Sequence, residues 1–172
     1  MSLAVHTEKG RSDAEMADVA AELWLACNPG WSYVRTNTSG RAKVDGLIVK
    51  DGELRGVVES KCRDADLNKF MGREKGEYGG QWLVTLEKLI EAKDLANLLQ
   101  VPLVGFLYLK GDGVLMTKVL AREAEDNPNA YEFVANMECR KSETQATTNG
   151  GTANRCNAYL DMSDAKMFRP KC

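Results

Sequence analysis

The chain has 172 residues, enough for one domain with a real core, and its net charge of −2, with 28% charged residues, makes nucleic-acid contact a matter of local charge. No apolar run approaches the about 18 residues of a membrane span and no signal-peptide core opens the chain, so the expected location is the cytoplasm of a prokaryotic or phage-infected cell. Five cysteines without a Cys-x-x-Cys pair argue against a zinc ribbon or a disulfide framework, and a single histidine, His6, excludes the Ser-His-Asp, Cys-His and histidine-based nuclease classes.

Ser12 with Glu15 is a capping-box signature, and Met16, Val19, Ala20, Leu23 and Cys27 keep helical spacing, which predicts a helix over 13–27. Asn28-Pro29-Gly30 ends it. Residues 31–36 alternate like a strand and 37–40 form a polar loop. Residues 44–61 read as a β-hairpin, two runs of strand formers joined through Asp51-Gly52. The charged, Gly-rich stretch 64–80 reads as a mobile connection with one helical turn. A second helix over 86–99 carries a buried stripe of Leu89, Ala92, Ala96 and Leu99, and Gln100-Val101-Pro102 stops it. Residues 103–109 make a central apolar strand, and Gly111-Asp112-Gly113 turns it into a strand over 114–120.

The character changes at Asp126-Asn127-Pro128-Asn129. Residues 131–147 and 154–160 flank Thr148-Asn149-Gly150-Gly151, a turn signal for a second hairpin rich in Ser, Thr and Asn. Three uses are open to it: extending the sheet, reaching a partner chain, or clamping a ligand. The order of elements predicts an α/β domain, with 1–125 as its core and 126–172 as a C-terminal β-hairpin extension.

The chemistry concentrates in the first hairpin. Asp45 opens one strand and Glu59-Ser60-Lys61 closes the other, so the hairpin brings two carboxylates and an ammonium to one sheet end. Glu59 and Lys61 share a face because side chains alternate along a strand. A plain two-residue turn would pair Asp45 with Val58 and turn it away from Glu59. A three-residue loop, Lys50-Asp51-Gly52, would pair Asp45 with Val57 and bring it to the face of Glu59. A metal site therefore predicts an extra residue in the loop. With histidine excluded, its ligands are oxygens, which points to Mg²⁺ or Mn²⁺. The Glu91-Lys93 and Asp164-Lys166 repeats of the same spacing lack this setting. Glu59 and Lys61 as merely solvated edge charges is the competing explanation, opposed by Leu47, Val49 and Val57 on their face.

Arg41, Lys43 and Arg63 map near the proposed site, and Arg73 and Lys75 follow it; these are candidate nucleic-acid contacts. No phosphate-binding Gly-x-x-x-x-Gly-Lys loop occurs, so no nucleotide cofactor is expected. Glu15 and Glu22 lie two helical turns apart on one edge of the first helix, and Glu15 serves equally well as the capping-box acceptor. Lys88 sits on or beside the buried stripe, in line with Ala92, Leu95 and Leu99. A lysine there is unusual, because an unpaired buried ammonium is costly, and snorkelling at the helix start is the plain explanation.

Residues 12–109 resemble the PD-(D/E)XK nuclease superfamily, the restriction-endonuclease-like fold, and are most similar to archaeal Holliday-junction resolvases and phage-borne nucleases of that group. The matching residues are Glu15, the strand at 31–36, Ser39-Gly40, Asp45 and Glu59-Ser60-Lys61; Val44 stands where the family has its namesake proline. The resemblance implies a mixed central sheet of four to five strands flanked by two main helices. It further implies that Asp45, Glu59 and the Ser60 carbonyl hold Mg²⁺, that Lys61 positions or deprotonates the attacking water, and that Ser39 lies in a substrate-contacting loop. Glu15 would bind a metal-coordinated water or a second metal, and Lys88 is the polar residue that the second helix turns toward the site.

The function expected is Mg²⁺-dependent phosphodiester hydrolysis of DNA by an endonuclease of phage or mobile-element type, selective for DNA structure. A catalytically silent nucleic-acid-binding module of the same fold and an assembly protein using the second hairpin are the alternatives. DNA is the expected partner, and a second copy of the chain is a candidate for cutting two strands.

Overall fold

The computed structural model describes residues 8–36, 42–145 and 152–170. Helix α1 (Glu8–Cys27) begins several residues before Ser12, because polar helix formers ahead of the apolar pattern continue the same turn. The predicted capping-box start is therefore corrected: Ser12 lies within the helix. Strand β1 (Trp31–Arg35) is followed by β2 (Gly46–Lys50) and β3 (Glu53–Arg63), then the short helix α2 (Leu67–Met71). Asp66 caps α2, its carboxylate accepting from the Lys69 amide, and Phe70 is fully buried. Next come β4 (Gln81–Thr85), α3 (Leu86–Leu99), β5 (Leu103–Leu109), β6 (Val114–Ala124), β7 (Asn127–Phe133), β8 (Met137–Gln145), β9 (Thr152–Asp161) and β10 (Lys166–Phe168).

The class is mixed α/β, but the main sheet has seven strands rather than four to five. Its order is β1-β2-β3-β5-β6-β10, with β7 also on β6. Among the described residues only β3 and β5 run parallel, joined by a crossover through α2, β4 and α3. The long β6 carries β10 on its first half and β7 on its second. Both additions escape a reading by turn residues: β7 begins in Asn127-Pro128-Asn129, and β10 is three residues long. The segment 131–147, read as one strand, divides into β7 and β8 around Ala135.

The second hairpin, β8 with β9, pairs with β4 as a separate three-stranded sheet; its turn at 148–151 lies outside the described residues, as does His6. Trp82 and Val84 alternate inward from β4 and meet Ala158 and Leu160 of β9 in the main core. Helix α3 closes that core over one face of the large sheet, through Leu89, Ala92 and Ala96 against Val57, Leu103 and Leu107. Helix α1 covers the opposite face, where Ala20 and Trp24 pack on Val58, Phe106 and Leu115. Strand β3 thus sends Val57, Glu59 and Lys61 toward the α3 side and Val58 toward α1. Among the described residues no helix is long and apolar enough to cross a membrane.

Candidate active site

The first hairpin turns tightly. Asp51 and Gly52 both have positive φ, 54° and 78°, and Lys50 pairs with Glu53, the geometry of a two-residue type I′ turn. The expected three-residue loop is therefore corrected. The extra residue lies in the strand instead: Val49 pairs with Leu54 and Ile48 with Gly56, leaving Arg55 as a bulge. Beyond it Leu47 pairs with Val57 and Gly46 with Val58, so Asp45 comes opposite Glu59. The bulge supplies the one-residue shift in parity that the loop does not.

Asp45 is fixed on three sides. Its amide donates to the Val58 carbonyl at 2.8 Å, its carbonyl accepts from the Thr36 amide, and its Oδ2 accepts from the Ser60 amide at 2.8 Å. Glu59 is buried, 2% exposed, on the α3 side of β3. Its parallel partner Gly105 leaves room for Trp82, whose ring would lie 2.5 Å from a Cβ there. Lys88, in the first turn of α3, reaches both carboxylates: Nζ is 2.5 Å from Glu59 Oε1 and 3.6 Å from Asp45 Oδ2.

Of the three groups only Glu59 is dry: Asp45 and Lys88 keep 37% and 41% of their side-chain exposure. Burial, and next the Asp45 charge, push the Glu59 carboxyl up to about 8, with Lys88 and Lys61 pulling the other way. Burial opposes charge on Lys88, but the two carboxylates outweigh it and raise the ammonium above its ordinary value. Burial, then the Asp45 charge, also raise the Tyr33 hydroxyl. The Tyr33 ring lies over Gly46, in the space that a Cβ there would need.

Lys61 is exposed two residues past Glu59, and its charge acts on that carboxyl. Glu15 and Glu22 are exposed on α1, across the sheet from Lys88. Between them Asp18 takes the Arg35 guanidinium at 2.7 Å, and Arg35 pairs with Gly46. Glu15, a turn before Asp18, therefore stands at the Asp45 end of the sheet, and Glu22 a turn away from it. Sequence reasoning passed over Asp18 and Tyr33. Only the glycine beside Asp45 hints at the ring packed there.

Among the basic candidates, Lys43, Arg73 and Lys75 are exposed. Arg73 acts electrostatically on Asp161 of β9. Arg63 is half-buried and donates to the Leu83 carbonyl at 3.2 Å, fastening β3 to β4. Ser39 and Arg41 lie outside the described residues. Beyond the expected set, Arg140 stacks 3.7 Å over the Tyr159 ring on the second sheet.

The donors suit a hard divalent cation that keeps several waters: two carboxylates and a neighbouring backbone carbonyl. Glu59 Oε2 is a buried acceptor without a hydrogen-bond donor, an atom that a cation would satisfy. Among the described residues no three His, Cys, Asp or Glu side chains gather as a metal cluster. No family model matches this chain, and no curated protein matches it.

Proposed function

We propose that the chain is a metal-dependent DNA endonuclease with a restriction-endonuclease-like core. The observation that carries this reading is the convergence of Asp45, Glu59 and Lys88 at the strand end where Lys61 emerges. Asp45, Glu59 and the Ser60 carbonyl would hold Mg²⁺ or Mn²⁺. Bound there, the ion would polarise the phosphate and stabilise the leaving oxygen. Lys61, exposed beside the carboxylates, would position the attacking water, or deprotonate it when its own amine is neutral. Asp45 keeps one orientation through the Ser60 amide, so the ligand set is held before substrate arrives. Lys43 precedes Asp45 and offers phosphate contacts at the mouth of the site.

The test is incubation of supercoiled plasmid and of four-way junction DNA with Mg²⁺ or Mn²⁺, with EDTA as control. Nicking or junction cleavage that EDTA stops, and that folded Asp45→Asn lacks, supports the reading. DNA binding by folded protein with no cleavage under either metal would replace it with the silent-module alternative.

A further inference from the structure

We propose that Lys88 is a built-in competitor of the metal: in the metal-free protein its ammonium holds the divalent-cation position between Asp45 and Glu59, and it leaves that position when metal binds. The inference rests on the metal reading of the Asp45–Glu59 site.

The geometry is that of one ammonium placed between two carboxyl groups. Lys88 Nζ lies 2.5 Å from Glu59 Oε1 and 3.6 Å from Asp45 Oδ2, the two side chains that would coordinate metal. A divalent ion on Glu59 Oε2 and Asp45 would stand within a carboxylate's width of this ammonium, and like charges so close repel strongly. The position of Lys88 points to the same conclusion. It stands in the first turn of α3, where the helix dipole disfavours a positive charge, so the carboxylates supply the compensation.

Departure is also easy. The Lys88 side chain keeps 41% of its exposure although Glu59 keeps 3%, so its flexible stem leads to solvent and the ammonium leaves without unfolding α3. Without metal, Lys88 spares Glu59 the cost of a buried carboxyl with no cation beside it. With metal, it is released at the edge of the site. The metal affinity of the wild type is thus the intrinsic affinity reduced by this exchange.

Titration of Mn²⁺ and Mg²⁺ by calorimetry tests it, with wild type and Lys88→Met, which keeps the stem and removes the charge. The variant is expected to bind Mn²⁺ roughly tenfold or more tightly than wild type. Equal or weaker binding by folded Lys88→Met overturns the competition and leaves the metal site standing. No binding by either protein sinks the metal reading, and the competition with it. A second measurement uses wild type alone, so the proposal stays open to refutation even where the variant misfolds. Reductive methylation of Lys88, followed by peptide mass spectrometry, should quicken severalfold at saturating Mn²⁺ as the amine is freed. An unchanged or slower rate overturns the proposal.

Discussion

The Ser60 amide donates to Asp45 Oδ2 at 2.8 Å across a separation of 15 residues. This bond ties the two strands of the first hairpin through a side chain at the point where the chemistry is proposed. It also separates the structural role of Asp45 from its charge. Asp45→Asn keeps an oxygen for the Ser60 amide and should melt near the wild type. It should lose metal-dependent cleavage by roughly a hundredfold or more, since a ligand costs at least what an outer-shell partner does. Asp45→Ala should lose both, leaving the Ser60 donor without its acceptor. Thermal melts beside a nicking assay measure this. Asp45→Asn that cleaves at the wild-type rate removes Asp45 from the ligand set.

The proposed role of Lys61 is on water, and it can be separated from the roles of the carboxylates. It is exposed, two residues beyond Glu59 on the same face of β3. Lys61→Ala should fold normally and bind metal at least as well as wild type, because a repelling charge is gone. Its cleavage rate should fall by roughly 10²–10⁴, the range for a positioned acid–base group. Calorimetric metal titration with single-turnover cleavage separates the two effects. Loss of metal binding in parallel with turnover would make Lys61 a structural neighbour of the carboxylates instead.

The raised carboxyl of Glu59 sets a pH dependence whose sign is fixed. The unfolded chain releases this proton near 4.5, while the folded, metal-free protein keeps it to about 8. The folded state therefore binds more protons between these values. Its stability is full below about 4.5 and declines as pH climbs to about 8, by an amount on the order of a few kcal/mol. Metal affinity runs the other way, because the ligand must shed its proton first, and should climb as pH rises toward about 8. Glu59→Gln should flatten the stability profile and abolish metal binding. Denaturant melts from about pH 5 to about pH 9 in EDTA supply the test; a stability that rises through that range contradicts the assignment.

Long periodic segments were legible in the sequence: the helix at 86–99 and the strand at 103–109 stand, and the helix buries Leu89, Ala92 and Ala96 as their spacing predicts, while Leu99, expected in the same stripe, is 40% exposed in the last turn. Shorter pieces were not. Strand β4 is five residues behind two glycines, and its inward Trp82 and Val84 acquire meaning only when β9 lies beside them. At the site, residue types and strand ends marked Asp45, Glu59 and Lys61, and Lys88 stood out as a lysine on or beside a buried stripe, with snorkelling as the competing explanation. The parity of the hairpin was legible as a requirement but not in its means. A turn and a bulge each shift the register by one, and what local sequence offers for the bulge is Arg55-Gly56. There the missing Cβ makes room for Ile48, whose Cδ1 would lie 2.9 Å away. Burial of Glu59 depends on Gly105 and Trp82, which are distant in the chain and meet only through the crossover.

The basic residues divide into Arg63, which holds the fold, and exposed ones such as Lys43 and Lys75. Arg63 is half-buried and its guanidinium donates to the Leu83 carbonyl, so it joins the large sheet to the strand that leads into α3. Arg63→Ala should cost about 1.5–3 kcal/mol of stability, the range for a hydrogen bond from a charged group. Lys43 and Lys75 are exposed, and replacing either by alanine should leave the melting temperature within a degree or so. Their effect should fall on DNA. Removing one phosphate-binding cation lowers the salt slope of binding by about one, evenly across sequences. The net charge of −2 makes those few cations count, since repulsion from the rest of the molecule is not offset elsewhere. Binding of a short duplex at several salt concentrations, with melts of the same three variants, resolves the division. If Lys43→Ala and Lys75→Ala both bind with the wild-type slope, the phosphate-binding surface moves to the second sheet, where Arg140 lies exposed over Tyr159.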